Sequence, residues 1–173
     1  MAQGEKKGLG GWLILVGLGV VITPVKLLYN FIPVFVPIFT DGTWEALTNE
    51  ESESYHPLFK SLLLGELTFN LCLVIATIYL IYLFFTRHYR FPVIYIAVLA
   101  VSIAVIPLDA WISSYVLPNE PIFDRETTTE LARAAISGLI WIPYMLLSKR
   151  VKATFVERMP NTAPPADNEY IRM

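Results

Sequence analysis

Long apolar runs separated by short polar segments dominate this chain. The runs occupy residues 9–28, 58–85, 91–117 and 129–148. Each run is long enough to cross the hydrocarbon core of a bilayer once as an α-helix. The pattern therefore predicts an all-α membrane protein, with a four-transmembrane-helix bundle in residues 1–156. Residues 157–173 are rich in proline and polar side chains, and we expect them to form a disordered cytoplasmic tail.

Basic and acidic residues flank opposite ends of these spans. The basic group comprises Lys6, Lys7, Arg87, Arg90, Lys149, Arg150 and Lys152. The acidic group lies in the two opposite loops and comprises Asp41, Glu45, Glu50, Glu51, Glu53, Glu120, Asp124 and Glu126. Because cytoplasmic loops carry the excess of Lys and Arg, both termini are predicted to be cytoplasmic. The first run has no small-residue cleavage site after it, so we interpret it as an uncleaved span.

The first external loop combines an apolar part with an acidic part. Residues 31–39 are apolar but contain Pro33 and Pro37, so they are predicted not to form one regular helix. We expect this proline-broken segment to lie along the outer membrane surface, with residues 40–53 as an exposed acidic loop. In the second external loop, Thr127 and Glu130 have the spacing of a capping box, which predicts the start of the fourth helix.

Five charged side chains fall inside or at the ends of the predicted spans, all in the outer half of the bilayer by residue count. They are Lys26, Glu66, Asp109, Glu130 and Arg133, with Asn70 available as a hydrogen-bond neighbour. Charged groups at membrane depth face protein or water rather than lipid. Pro24 and Pro107 lie two residues before Lys26 and Asp109 and are expected to kink their helices there. We therefore predict one intramembrane polar cluster that lines an outward-facing cavity.

This cluster has a functional and a structural interpretation. If the cluster is a binding site, Lys26 and Arg133 would contact an anionic group of the ligand. Glu66 and Asp109 would then hold these two basic side chains in place or exchange a proton. As a structural fastener, the opposite charges would only fix the helix register. The leading hypothesis is a non-enzymatic protein that binds a lipid, a small solute or a partner helix. The alternatives are a small proton-coupled transporter or transporter subunit, for which four helices would have to form a homodimer, and a membrane enzyme with Glu66 and Asp109 as acid and base.

Composition narrows the remaining function classes. The chain is 55% hydrophobic and 16% charged, with a mean hydropathy of +0.54, which is too apolar for an ordinary soluble domain. Its lone cysteine, Cys72, excludes an internal disulfide and a CxxC redox pair. His56 and His88 fall on opposite sides of the predicted membrane, so they cannot share a metal. We predict no cofactor, no metal, no catalytic motif and no nucleic-acid partner, only the bilayer and the ligands or membrane partners named above.

Two sequence pieces carry a resemblance to a known family. The first, near the start of the chain, is GLGGWL at residues 8–13. The second, near the end, consists of IPY at residues 142–144 followed by SKRVKATF at residues 148–155. With these pieces the chain resembles, from about residue 8 to residue 156, a bacterial family of small inner-membrane proteins known only as a domain of unknown function. The resemblance implies a four-helix protein of the bacterial inner membrane. It implies no activity.

Overall fold

Four long helices carry most of the described chain. The computed structural model describes residues 8–116 and 121–156. The long helices are α1 (Trp12–Thr40), α3 (Phe59–Phe85), α4 (Phe91–Ser113) and α5 (Arg125–Leu147), and the short ones are α2 (Thr43–Thr48) and α6 (Lys149–Thr154). Within the described residues, these four long helices are long and apolar enough to cross a membrane. The predicted all-α, four-span membrane architecture is confirmed.

Helix α1 is much longer than the sequence predicted. The prediction of a proline-broken segment at residues 31–39 is wrong, because α1 continues through Pro24, Pro33 and Pro37 to Thr40. Each proline removes only one backbone hydrogen bond from the helix. The bonds around the gaps remain, and the backbone N–H of Asp41 donates to the Pro37 carbonyl at 2.9 Å. At about 1.5 Å per residue, a helix of 29 residues is longer than the hydrocarbon core is thick.

The other span limits differ from the prediction by smaller amounts. Helix α4 ends at Ser113 rather than at residue 117, and α5 begins at Arg125 rather than near residue 129. The expected capping box at Thr127 is replaced by an Asp124 cap, since the Asp124 carboxylate accepts from the Thr127 backbone N–H at 2.7 Å. The predicted tail in residues 157–173 and the basic pair Lys6 and Lys7 lie outside the described residues.

The helices pack in series, and their shared core lies at one end of the bundle. Helix α1 packs against α3, α3 against α4, and α4 against α5. We call the end formed by the start of α1, the end of α3, the start of α4, the end of α5 and α6 the packed end. Its core residues are Leu13, Val16, Val20, Leu80, Leu83, Phe84, Phe91, Met145, Val151 and Phe155.

Aromatic rings fill the centre of the packed end. The ring centroids of Phe84 and Phe91 are 5.2 Å apart, and those of Phe91 and Phe155 are 4.5 Å apart. Gly17 of α1 allows this arrangement, because a Cβ there would come within 2.7 Å of the Phe84 ring. A small residue lets two membrane helices approach closely, so Gly17 brings α1 against α3 at this level.

The two sequence pieces that carry the family resemblance meet at the packed end. The Gly8 backbone N–H donates to Thr154 Oγ1 at 3.4 Å. A Cβ at Gly10 would lie 3.3 Å from Arg150 Nη2, so the guanidinium of α6 lies directly against the glycine backbone. Gly11 has φ +59° and ψ −136°, a backbone conformation that residues with a side chain rarely adopt. The glycines thus let Arg150 and Thr154 fasten the start of α1 to α6.

Most of the remaining apolar surface faces outward. The apolar window of α4 is only 6% buried within the chain, and that of α5 is 11% buried. Large side chains such as Leu139, Leu147 and Val93 are exposed. A water-soluble fold does not leave apolar surface of this extent uncovered, whereas a helix immersed in lipid does. The exposed belt therefore agrees with the membrane assignment.

Candidate functional site

The other end of the bundle, formed by the end of α1, the start of α3, the end of α4 and the start of α5, is loosely packed. We call it the open end. None of the residues 59–73 of α3 and 92–113 of α4 is buried. Helices α3 and α4 share the aromatic core only at the packed end. The space that is left between their other ends is where a ligand could enter.

A cleft of about 440 Å³ lies between α3 and α4 at the open end. This volume falls within the usual range for small-molecule sites, about 300–1,000 Å³. Its lining residues are Leu58, Ser61, Leu62, Gly65, Glu66, Phe69, Asn70, Val105, Ile106, Leu108, Asp109, Ile112 and Glu130. On α3 these residues recur every three or four positions, which places them on one helical face. The cleft thus has apolar walls with a few polar groups.

Three carboxyl groups enter this cleft from three different helices. Glu66 comes from α3, Asp109 from α4 and Glu130 from α5. Asn70 joins them, and its amide Nδ2 donates to the Glu66 backbone carbonyl at 2.9 Å. Among the lining residues there is no lysine, arginine or histidine. The cleft therefore offers carboxyl and amide groups between apolar walls to whatever occupies it.

A second cleft of about 300 Å³ adjoins the first, between the end of α4 and the start of α5. The two share Ile106, Asp109 and Glu130. The remaining lining residues are Ala110, Ser113, Ser114, Pro121, Ile122, Asp124 and Thr127. In the sequence, Asp124 was identified only as part of the acidic loop. Its position three residues before Thr127 was the available signal for a cap, and the cap is what holds Asp124 at the mouth of this cleft.

Two of the predicted cluster residues lie elsewhere. Lys26 and Arg133 are exposed and line neither cleft. Within residues 8–116 and 121–156, neither side chain forms an ion pair with Glu66, Asp109 or Glu130. The expected meeting of opposite charges in one cluster is therefore not found inside the described chain.

Helix length and helical rotation explain both placements. Because α1 extends to Thr40, Lys26 lies at its middle rather than near its outer end. Lys26 follows the buried Pro24 by two positions, and Arg133 precedes the buried Gly138 by five. At about 100° per residue, each side chain points roughly 140–160° away from its helix's buried neighbour. Residue counting gives depth along a helix but not the direction in which a side chain points.

Charged groups outside the spans have shifted proton affinities with local causes. The Thr127 backbone N–H lowers the pKa of Asp124 by donating to its carboxylate. The hydroxyl and backbone N–H of Thr43 lower the pKa of Asp41 in the same way. At the other end of the bundle, the Tyr89 hydroxyl accepts from Arg90 Nε at 2.8 Å and raises the pKa of Arg90. Asp124 therefore stays anionic at the mouth of the second cleft.

The described residues contain no cluster of histidine, cysteine and carboxylate side chains that could hold a metal ion. Three carboxyl groups on separate helices can still bind a group that is itself positively charged. They can also bind one that donates hydrogen bonds. Apolar walls on both sides of such a site favour a ligand with an apolar body.

Fold and cleft together define a class: a small multi-pass α-helical membrane protein with an acid-lined opening at one end of its bundle. The chain belongs to the family described as Protein of unknown function (DUF2569), which matches residues 6–156. The resemblance to a family of unknown function is thereby confirmed. Comparisons with curated proteins and with solved structures gave no match.

Proposed function

We propose that this protein is a non-enzymatic membrane protein whose cleft between α3 and α4 binds a small amphipathic solute through a positively charged group. The observation that carries the proposal is the lining of the cleft. Glu66, Asp109 and Glu130 face an opening of about 440 Å³ whose lining includes no cationic side chain. Charges of one sign within low-dielectric walls attract and orient an ion of the opposite sign.

The apolar walls set the second requirement on the ligand. Phe69, Val105, Ile106 and Ile112 lie on either side of the acids. They would contact the body of the solute while the carboxylates contact its charged group. This replaces the expectation of an anionic ligand, because that expectation needed Lys26 and Arg133 in the cavity. With both termini in the cytoplasm of a bacterial inner membrane, the cleft would open toward the periplasm.

A matched pair of ions tests the proposal. Tetraphenylphosphonium and tetraphenylborate have nearly the same shape and opposite charge. Binding of each to the protein in nanodiscs of zwitterionic lipid is measured by equilibrium dialysis, with empty nanodiscs subtracted. We expect saturable binding of the cation only. Glu66→Gln should weaken it about tenfold, equivalent to about 1.4 kcal/mol, whereas Glu51→Gln, in an exposed loop, should not. Equal binding of both ions, or equal binding by both variants, would contradict the proposal.

Proton-coupled transport is a second candidate, and the continuity of the two clefts favours it. Asp109 and Glu130 line both openings, so a proton or a cation could pass from one to the other without leaving carboxyl contact. A carboxyl group that exchanges a proton for the cation binds the cation only when deprotonated. Affinity for tetraphenylphosphonium should then rise with pH, and proton release on binding should be detectable with a pH dye. Proteoliposomes that show no exchange of protons for the cation would exclude transport and leave binding alone.

A further inference from the structure

The outer face of α5 presents a cation at the level of the cleft. Gly138 of α5 contacts Ile103 of α4, since a Cβ added at Gly138 would lie 2.7 Å from the Ile103 side chain. The two residues are therefore at the same depth along the bundle. From there, Arg133 is about 8 Å nearer the open end along α5. Asp109 is about 9 Å nearer the open end along α4. Arg133 therefore lies at the depth of the acids, on a face of α5 about 60° around the helix from Glu130.

Arg133 belongs to a continuous exposed stripe on α5. Thr129, Arg133, Ile136, Ile140, Pro143 and Leu147 follow each other at intervals of three or four residues, and all are exposed. Such spacing places them on one side of the helix. An arginine at membrane depth pairs with another protein group or faces water rather than lipid. Glu130 is three residues away but does not pair with it in the described chain, and no other carboxylate there does so either.

We propose that Arg133 of a second copy of this chain occupies the acidic cleft, so that two copies form a dimer in which each supplies the cation that the other's cleft lacks. Charge complementarity carries this choice of occupant. The cleft has three carboxyl groups and no cation, and the stripe has one arginine at the same depth. Glu130, which lines the cleft, and Arg133 are neighbours on α5. A two-fold axis along the membrane normal can therefore bring both contacts into one isologous interface.

The proposed dimer would regulate solute binding, and this part of the inference rests on the proposed function. A positively charged solute and the Arg133 guanidinium would compete for the same carboxyl groups. Binding of the solute would then release the arginine and loosen the dimer at the open end. Binding that favours one of two arrangements shifts their populations by its difference in affinity.

Disulfide cross-linking between two tagged copies tests the interface. Both copies carry Cys72→Ser, one carries Thr129→Cys on the stripe, and the other carries Ser61→Cys in the cleft. Helices α3 and α5 run in the same direction. If Arg133 of one copy lies beside Glu66 of the other, Thr129, one turn before Arg133, therefore lies near Ser61, about one turn before Glu66. Thr128→Cys is the matched control, because Thr128 is also exposed but points about 140° away from Arg133.

We expect Thr129→Cys to form the mixed disulfide at least about fivefold more than Thr128→Cys, because a disulfide forms only where the two Cα atoms come within about 7 Å and the Cβ atoms face each other. Arg133→Gln should remove this difference, Arg133→Lys should keep much of it, and tetraphenylphosphonium should reduce it. Equal yields from the two threonine positions, or a yield unaffected by Arg133→Gln, would overturn the dimer. If the cation binds as proposed but the yields are equal, only the dimer fails. If the disulfide forms but no cation binds, the solute-binding function fails.

Discussion

The packed end and the open end of this bundle are made from the same four helices, yet they differ in almost every physical property. At the packed end, rings and branched side chains interlock and glycine backbone lies against Arg150. At the open end, neither residues 59–73 of α3 nor the second half of α4 includes a buried residue, and carboxyl groups line the space between the two helices. The difference teaches that one end holds the fold together while the other stays apart, as the proposed binding of a ligand requires.

The largest expected effect comes from removing an aromatic ring at each end. Phe84 is 3% exposed within the ring cluster, and Phe69, on the same helix, lines the cleft. Truncating a fully packed phenylalanine costs about 3–5 kcal/mol. Phe84→Ala should therefore lower the melting temperature in detergent strongly, and Phe69→Ala only slightly. Similar losses of melting temperature in the two variants would mean that the open end is packed as tightly as the packed end, which would contradict the difference between them.

A smaller effect should follow from adding one methyl group to a glycine at each end. Gly11→Ala places a Cβ against the Arg150 guanidinium on a backbone with φ +59°, a strain of about 1–3 kcal/mol. Gly65→Ala, in α3, meets nothing within 4 Å and should be neutral or slightly stabilising, since alanine favours helix. Thermal melts of both variants check the difference. If Gly65→Ala lowered the melting temperature as much as Gly11→Ala, or more, the contacts between the glycines and α6 would not be what stabilises the packed end.

The architecture was predictable because hydropathy alone separates membrane spans from loops. Four runs of sufficient length can be counted without knowing any contact. The same reasoning failed at residues 31–39, where the prolines suggested a broken segment. A single missing hydrogen bond per proline does not end a helix that its flanking bonds support, and proline is tolerated within membrane helices.

The candidate site was predictable only in part. Glu66, Asn70, Asp109 and Glu130 line one cleft, and their depth along the spans was visible in the sequence. The directions of Lys26 and Arg133 were not, since these depend on which face of α1 and α5 is buried. That face is set by contacts such as Gly17 with Phe84 and Gly138 with Ile103, which involve partners far apart in the chain.

The central claim is that the open end holds an accessible cleft whose carboxyl groups favour a cation, and thiol modification rates test it most directly. In a Cys72→Ser background, Ser61→Cys lies in the cleft, whereas Thr77→Cys replaces a buried side chain on the same helix. Each is treated with trimethylammonium-ethyl and with sulfonatoethyl methanethiosulfonate. Each rate is divided by the rate of the same reagent with a free thiol in solution. We predict that Ser61→Cys then reacts faster with the cationic reagent, that Glu66→Gln with Asp109→Asn reduces this preference, and that Thr77→Cys is protected from both. Equal rates for the two reagents at Ser61→Cys, or equal protection of both positions, would contradict it.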